Sequence, residues 1–98
     1  IAVFSQSYPT GGYQGGGHGG VDYILWTGEI DNDWANHGNW CPAYVPDEDR
    51  NVVIPVDAGV MPEVKSAGLS CKSLTLEEGA EVTIKDGFTL IVDGKELD

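Results

Sequence analysis

Two short groups of acidic side chains could do metal chemistry, because carboxylate and amide oxygens are the ligands that hard divalent cations prefer. Asp31, Asn32 and Asp33 form one group, and Asp47 and Asp49 form the other. Calcium takes about six to eight oxygen ligands and is the cation that such groups would bind. The alternative is a solvated acidic loop, since the first group lacks the glycine and the final glutamate of an EF-hand loop. We therefore expect no required cofactor, with calcium as the candidate ligand.

The chain has two cysteines, Cys41 and Cys71. In an extracellular protein two cysteines most often pair, and this bridge would stabilise the fold by about 3.5 kcal/mol in the chain-entropy model. The alternative is a pair of buried thiols. A metal site is disfavoured because neither cysteine belongs to a Cys-x-x-Cys pattern.

Three tryptophans, Trp26, Trp34 and Trp40, lie close together in sequence. Exposed aromatic rings can stack on sugars, so the group is a candidate glycan platform. The alternative is a small aromatic core, because a domain of this size has few other large apolar side chains.

No nucleophile, base and orienting group occur in a catalytic pattern, and His18 and His37 are isolated. We therefore expect no enzymatic activity. The formal net charge of −11 disfavours binding to nucleic acids and to anionic membranes. No apolar run reaches the length of about 18 residues that crosses a bilayer, so we expect no membrane insertion.

These residues must be positioned by three segments of different character. Residues 1–9 predict an extended strand, with its apolar surface on Ile1, Val3, Phe4 and Tyr8. Residues 10–20 hold seven glycines and predict a flexible linker. Residues 21–98 form the body. The start at Ile1, without a signal segment, predicts a processed and secreted chain.

The body predicts an all-β fold. Short strands with strict alternation are separated by glycines, and no segment favours a long helix. The alternating pairs are Leu74/Leu76, Val82/Ile84 and Leu90/Val92. We expect a small two-layer β-sandwich of jelly-roll type with an extended N-terminal strand. The alternative is a short β-solenoid, because Ile54, Val64, Leu74 and Ile84 recur every ten residues.

The string WTGEIDNDWANHGNWCPAYVPDEDRNVVIP, followed by LTLEEGAEVTIKDGFTLIVDG, resembles a module of large secreted surface and adhesin proteins of Bacteroidetes-type bacteria. The similarity covers residues 26–94, and W-x-G, D-W, G-N-W, V-P and I-P follow one another in the family's order. The resemblance implies an extracellular, all-β, adhesin-like or surface-layer module, often at the start of a β-solenoid, without catalytic residues.

The N-terminal segment favours a structural function. An apolar strand on a long glycine linker is suited to insertion into a neighbouring subunit, and head-to-tail repetition of that contact gives a filament. The expected partners are identical subunits, at the cell surface or in the extracellular space. One alternative is a strand that is disordered or folds back on its own body. Another is a carbohydrate-binding or adhesin-type module of a larger surface protein, with glycans as partners.

Overall fold

A computed structural model describes residues 2–4 and 23–97 of the chain. Within those residues the structure contains ten short strands and one 3-10 turn, His37–Asn39, and no α-helix. No helix of the described part is long and apolar enough to cross a membrane. The predicted all-β class is confirmed, and the sheets pack into a compact unit consistent with a small β-sandwich.

The strands form three sheets. The strands are β1 Ala2–Phe4, β2 Tyr23–Trp26, β3 Trp40–Cys41, β4 Asn51–Ile54, β5 Glu63–Val64, β6 Leu69–Cys71, β7 Ser73–Leu76, β8 Val82–Ile84, β9 Leu90–Val92 and β10 Lys95–Leu97. A four-stranded sheet has the order β3-β2-β4-β7, and two three-stranded sheets have the orders β1-β8-β5 and β10-β9-β6.

The chain winds through the three sheets as a coil. After β4, β5 and β6 it returns as β7 beside β4, then as β8 beside β5 and as β9 beside β6, and all three pairs are parallel. Ser73 pairs with Asn51, Thr83 with Glu63 and Leu90 with Leu69, which are offsets of 22, 20 and 21 residues. The sheets thus pack together as in a small β-sandwich, while the chain connects the strands in the order of a short β-solenoid, which was the predicted alternative.

We number the coils in chain order. The first contains β2, which pairs in parallel with β4, and a parallel bridge from Asp33 to Glu63. The second contains β4, β5 and β6, and the third contains β7, β8 and β9. Successive coils are therefore stacked one strand spacing apart, about 4.8 Å.

Alternation within the strands builds one core between the sheets. Ile24, Val52 and Leu74 occupy matching positions in the three coils, and all are almost completely buried. Val64 pairs with Ile84 in the second sheet, and the buried Leu69 and Leu90 pair in the third. Each inward position therefore repeats once per coil, so the apolar side chains stack along the axis of the coil.

Antiparallel strands lie beside the first and last coils. β3 pairs with β2 on the side away from β4, so it precedes the first coil. β1 pairs with β8, and β10 pairs with β9, both beyond the third coil. β10 follows β9 through the turn Asp93–Gly94, in which both residues have positive φ, 53° and 77°. These strands cover edges that would otherwise invite pairing with other chains.

Candidate functional site at the two ends of the coil

Strand β1 lies on the edge of the third coil. Ala2 pairs with Ile84, Val3 with Thr83 and Phe4 with Val82 in an antiparallel register. Ala2 and Phe4 are half-buried and pack against the core, whereas Val3 is 54% exposed. Strand alternation accounts for this difference, because only every second side chain can face the core.

This contact is made within one chain. Of the predicted polymerisation strand, the structure describes Val3 and Phe4; Ile1 and Tyr8 lie outside the described residues, as does the predicted linker 10–20. In the described part of the chain, β1 is thus folded back on its own body. This arrangement was the predicted alternative to insertion into a neighbouring subunit. The edge of β8 is nevertheless identified as a strand-receiving edge, which the sequence did not indicate.

A groove of about 470 Å³ runs beside β1. It is lined by Ala2, Ile84 and the turn from Lys85 to Thr89, so it lies over the corner that joins β8 to β9. Lys85 contacts Glu63 of the preceding coil at 3.6 Å between Nζ and Oε1. The groove is therefore a concave feature at the end of the coil where β1 docks.

The opposite end is closed by the segment 27–41, which we call the cap. Asn39 is completely buried there, and its side chain has a partner for each polar group. The backbone N–H groups of Ile30 and Asp31 donate to Asn39 Oδ1 at 2.8 and 2.9 Å. Asn39 Nδ2 donates to Asp31 Oδ1 at 2.7 Å and to the Asp33 carbonyl oxygen at 2.9 Å. The side chain of Asn39, near the end of the cap, thus holds residues 30–33 near its beginning.

The backbone of Asn39 holds the cap to the start of the first coil. Its carbonyl oxygen accepts hydrogen bonds from the N–H of Thr27 at 2.7 Å and from Thr27 Oγ1 at 2.9 Å. The N–H of Gly28 also donates to this oxygen, at 3.3 Å. This role of Asn39 was not predicted from the sequence, although the residue lies in the Gly-Asn-Trp motif on which the family resemblance rests.

The three tryptophans are brought together in the interior. Trp26, Trp34 and Trp40 are at most 3% exposed. Trp40 makes edge-to-face contacts with the other two, with ring centroids 5.0 and 4.8 Å apart. Trp40 Nε1 donates to the Trp34 carbonyl oxygen, and Trp26 Nε1 donates to the Val60 carbonyl oxygen, both at 2.8 Å. These rings form an aromatic cluster between β2 and the cap and offer no open face for sugar stacking.

The acidic residues of the candidate calcium site are used in local hydrogen bonds. The backbone N–H of Asp33 and the side chain of Asn39 hold the pKa of Asp31 below its usual value. Asn32 Oδ1 accepts from Lys65 Nζ at 2.9 Å. Within residues 2–4 and 23–97, no group of three or more His, Cys, Asp or Glu side chains is arranged to hold a metal ion.

The second acidic pair is likewise part of a turn. Asp47 Oδ1 accepts from the backbone N–H of Asp49 at 2.9 Å, and both residues are exposed. An aspartate that accepts from the N–H two residues later is an Asx turn, which stabilises a loop without a cation.

The predicted disulfide between Cys41 and Cys71 is not present in the structure. Cys71 lies on β6 and faces the core, where burial raises the pKa of its thiol to about 12. Cys41 lies on β3 in a different sheet and pairs with Leu25. Since the neighbours of Leu25 on β2 face the core, Leu25 and Cys41 point outward. Cys71 therefore points into the core, whereas Cys41 points away from it.

Similarity to a known protein family assigns the chain to that family. A family model described as a domain of unknown function, DUF8693, matches residues 25–96. The chain therefore belongs to the DUF8693 family, and the match covers the coil and the cap but not β1. No curated protein and no solved structure matches the chain.

Proposed function

We propose that this chain is a structural subunit of an extracellular filament or surface assembly, built by exchange of β1 between copies. In the assembled form, Ala2–Phe4 of one copy occupies the edge of β8 in its neighbour. In the closed form, which the structure shows, β1 pairs with β8 of its own chain. In the exchanged form the same contacts are made between two chains. This is a structural function with copies of the same chain as partners, and it requires no catalytic residue or cofactor.

The position of β1 is the observation that carries the proposal. β1 is a strand of three residues on an outer edge, and its only described strand partner is β8. Its end at Phe4 lies beyond the third coil, whereas Tyr23 begins the first coil. The intervening eighteen residues, 5–22, can span at most about 60 Å, which exceeds the longest dimension of the described structure, 35 Å. The segment can therefore reach a second molecule.

Exchange between copies is sensitive to small energetic differences. The closed and exchanged forms bury the same apolar side chains, so burial of Phe4 does not favour one over the other. Association costs translational and rotational freedom, which new contacts between the bodies must offset. We therefore expect a concentration-dependent assembly.

A double cysteine variant tests the exchange in the full chain. Val3 and Thr83 are directly opposite each other, and the Cα atoms of such antiparallel pairs are about 4.5–5.5 Å apart, which is within the range that a disulfide spans. We expect Val3→Cys/Thr83→Cys, in a Cys41→Ser background, to give a ladder of covalent multimers after oxidation under assembly conditions. Val3→Cys alone is the control and should give dimers at most. A product that is entirely monomeric would refute exchange.

Substitutions in β1 test which side chain carries the docking. Phe4→Asp places a charge against the core and should weaken docking, because burial of an unpaired charge is costly. Val3→Asp adds the same charge on the exposed side of the same strand and is the matched control. Filament yield by electron microscopy should fall at least tenfold for Phe4→Asp and change little for Val3→Asp. Equal yields would contradict the proposal.

A second candidate is an adhesin-type module of a larger surface protein. The family match favours it, because the matched region, residues 25–96, does not include β1. In that case the full chain and a chain lacking residues 1–20 should both remain monomeric at every concentration tested, although the shorter chain loses the contacts of Ala2 and Phe4 with the core and should be less stable. Glycan contacts, if any, would use exposed side chains rather than the three buried tryptophans.

A further inference from the structure

The structure also indicates how exchanging copies are arranged. We propose that they stack end to end along the coil axis, with the cap of each copy seated on the third coil of the copy that receives its β1. This inference rests on the proposed strand exchange and adds the interaction surface, the polarity and the axial spacing of the assembly.

The first step concerns where the ends of residues 5–22 lie. In a closed chain this segment must connect a strand beyond the third coil to a strand in the first coil, which is about three strand spacings, or 14 Å, along the axis. In an end-to-end stack the receiving edge of one copy adjoins the first coil of the next. Phe4 and Tyr23 of the donating copy are then at neighbouring levels, so stacking shortens the path that the segment must cover.

The second step concerns what the two ends present. The cap carries Ile30, which is 62% exposed and is the most exposed large apolar side chain of the described residues. Its backbone is fixed by the bond from its N–H to Asn39. The receiving end has the groove formed by Ala2, Ile84 and the turn from Lys85 to Thr89. In the stack, Ile30 would meet a concave surface that combines the apolar Ala2, Ile84 and Phe88 with the charged Lys85 and Asp86.

The third step gives the axial rise, which is the distance along the coil axis from one copy to the next. In the second sheet, Asp33, β5, β8 and β1 occupy four successive levels. The next copy can begin its own first coil only beyond β1, so the axial rise is at least four strand spacings, about 19 Å. β3 adds one level before the first coil in the four-stranded sheet. Without interdigitation of the ends the rise is five spacings, about 24 Å.

Electron cryomicroscopy of filaments of the full chain tests the arrangement. We expect a polar, coaxial stack with a rise of about 19–24 Å, in multiples of the strand spacing. A shorter rise, or subunits joined side to side, would overturn the inference.

A pair of matched variants tests the contact itself. Ile30→Asp should raise the concentration at which filaments appear at least tenfold. Val56→Asp is the control: Val56 is 49% exposed and follows β4 in the second coil, between the first and the third, where its side chain lies beside Gly79. It should change this concentration less than threefold. Equal effects of the two variants, or none from Ile30→Asp, would count against end-to-end stacking.

The cysteine ladder separates this inference from the proposed function. If the Val3→Cys/Thr83→Cys ladder forms in the Ile30→Asp background only at higher protein concentration, both are supported. If the ladder forms as in the parent chain, exchange is correct and the stacking surface is wrong. If the parent chain gives no ladder at all, the proposed function fails.

Discussion

At the scale of single residues, the cap depends on Asn39 more than on its charged neighbours. A buried amide that satisfies its oxygen and its nitrogen is stable in the interior, whereas its removal leaves buried donors and acceptors without partners. The carboxylate of Asp31 accepts from the same amide, and its lowered pKa shows that these hydrogen bonds favour the ionised form. The acidic residues of the cap thus have a structural role in the described molecule.

Replacement of Asn39 by alanine tests this role. Asn39→Ala removes all four hydrogen bonds of a completely buried side-chain amide, and each lost bond costs about 0.5–1.5 kcal/mol. We expect the free energy of unfolding to fall by at least about 2 kcal/mol in urea titrations. Asn32→Ala, which removes a contact with the exposed Lys65, should change it by less than about 0.5 kcal/mol. Similar losses in both variants would show that Asn39 does not hold the cap.

At the scale of elements, the fold depends on corners that let the chain pass between sheets. Gly28 lies at such a corner after β2, with φ of 61°. A Cβ atom at this position would lie 3.0 Å from both the carbonyl oxygen and a methyl group of Val60. Since that carbonyl oxygen also accepts the hydrogen bond of Trp26, the corner couples the first coil to the second.

A comparison of two glycines isolates the steric part of this constraint. Gly68 also has positive φ, 80°, but open space surrounds the position of its Cβ. Gly28→Ala and Gly68→Ala both place alanine in the left-handed region, at a cost of about 1 kcal/mol or more. We expect Gly28→Ala to lower the thermal midpoint clearly more than Gly68→Ala, because only Gly28 also meets a neighbouring coil. Equal midpoints would mean that the corner after β2 tolerates a side chain.

At the scale of the whole molecule, charge opposes the proposed assembly. Sixteen acidic residues against five basic ones give each copy a formal charge of −11, so copies repel one another at low ionic strength. Residues 27–49, which include the cap, contain no lysine or arginine. Contacts between subunits must overcome this repulsion.

Salt should therefore promote assembly. An increase in ionic strength from about 0.01 M to 1 M shortens the Debye length from about 30 to 3 Å, and we expect the concentration needed for filaments to fall at least fivefold, measured by light scattering. Calcium and magnesium chloride at equal ionic strength should act alike if screening is the cause. A large excess effect of calcium would instead show a specific site, with Asp31 and Asp33 as the first residues to substitute.

The sequence alone determined the strands and the faces of the body, because alternation and glycine turns are local properties of the chain. Leu74, Val82 and Leu90 were predicted to lie in alternating strands, and the structure buries all three. The ten-residue spacing of Ile54, Val64, Leu74 and Ile84 is about half of a coil, so these residues alternate between two sheets. That spacing allowed a solenoid without requiring one.

Only the tertiary structure decided which strands pair and in which direction. Parallel pairing at offsets of 20 to 22 residues, the outward position of Cys41 and the inward position of Cys71 all depend on contacts between distant segments. The same is true of the three tryptophans, whose sequence fits an exposed platform as well as a core. Local patterns fix which side of a strand is apolar, but the partner that covers it is chosen by the packing of the complete chain.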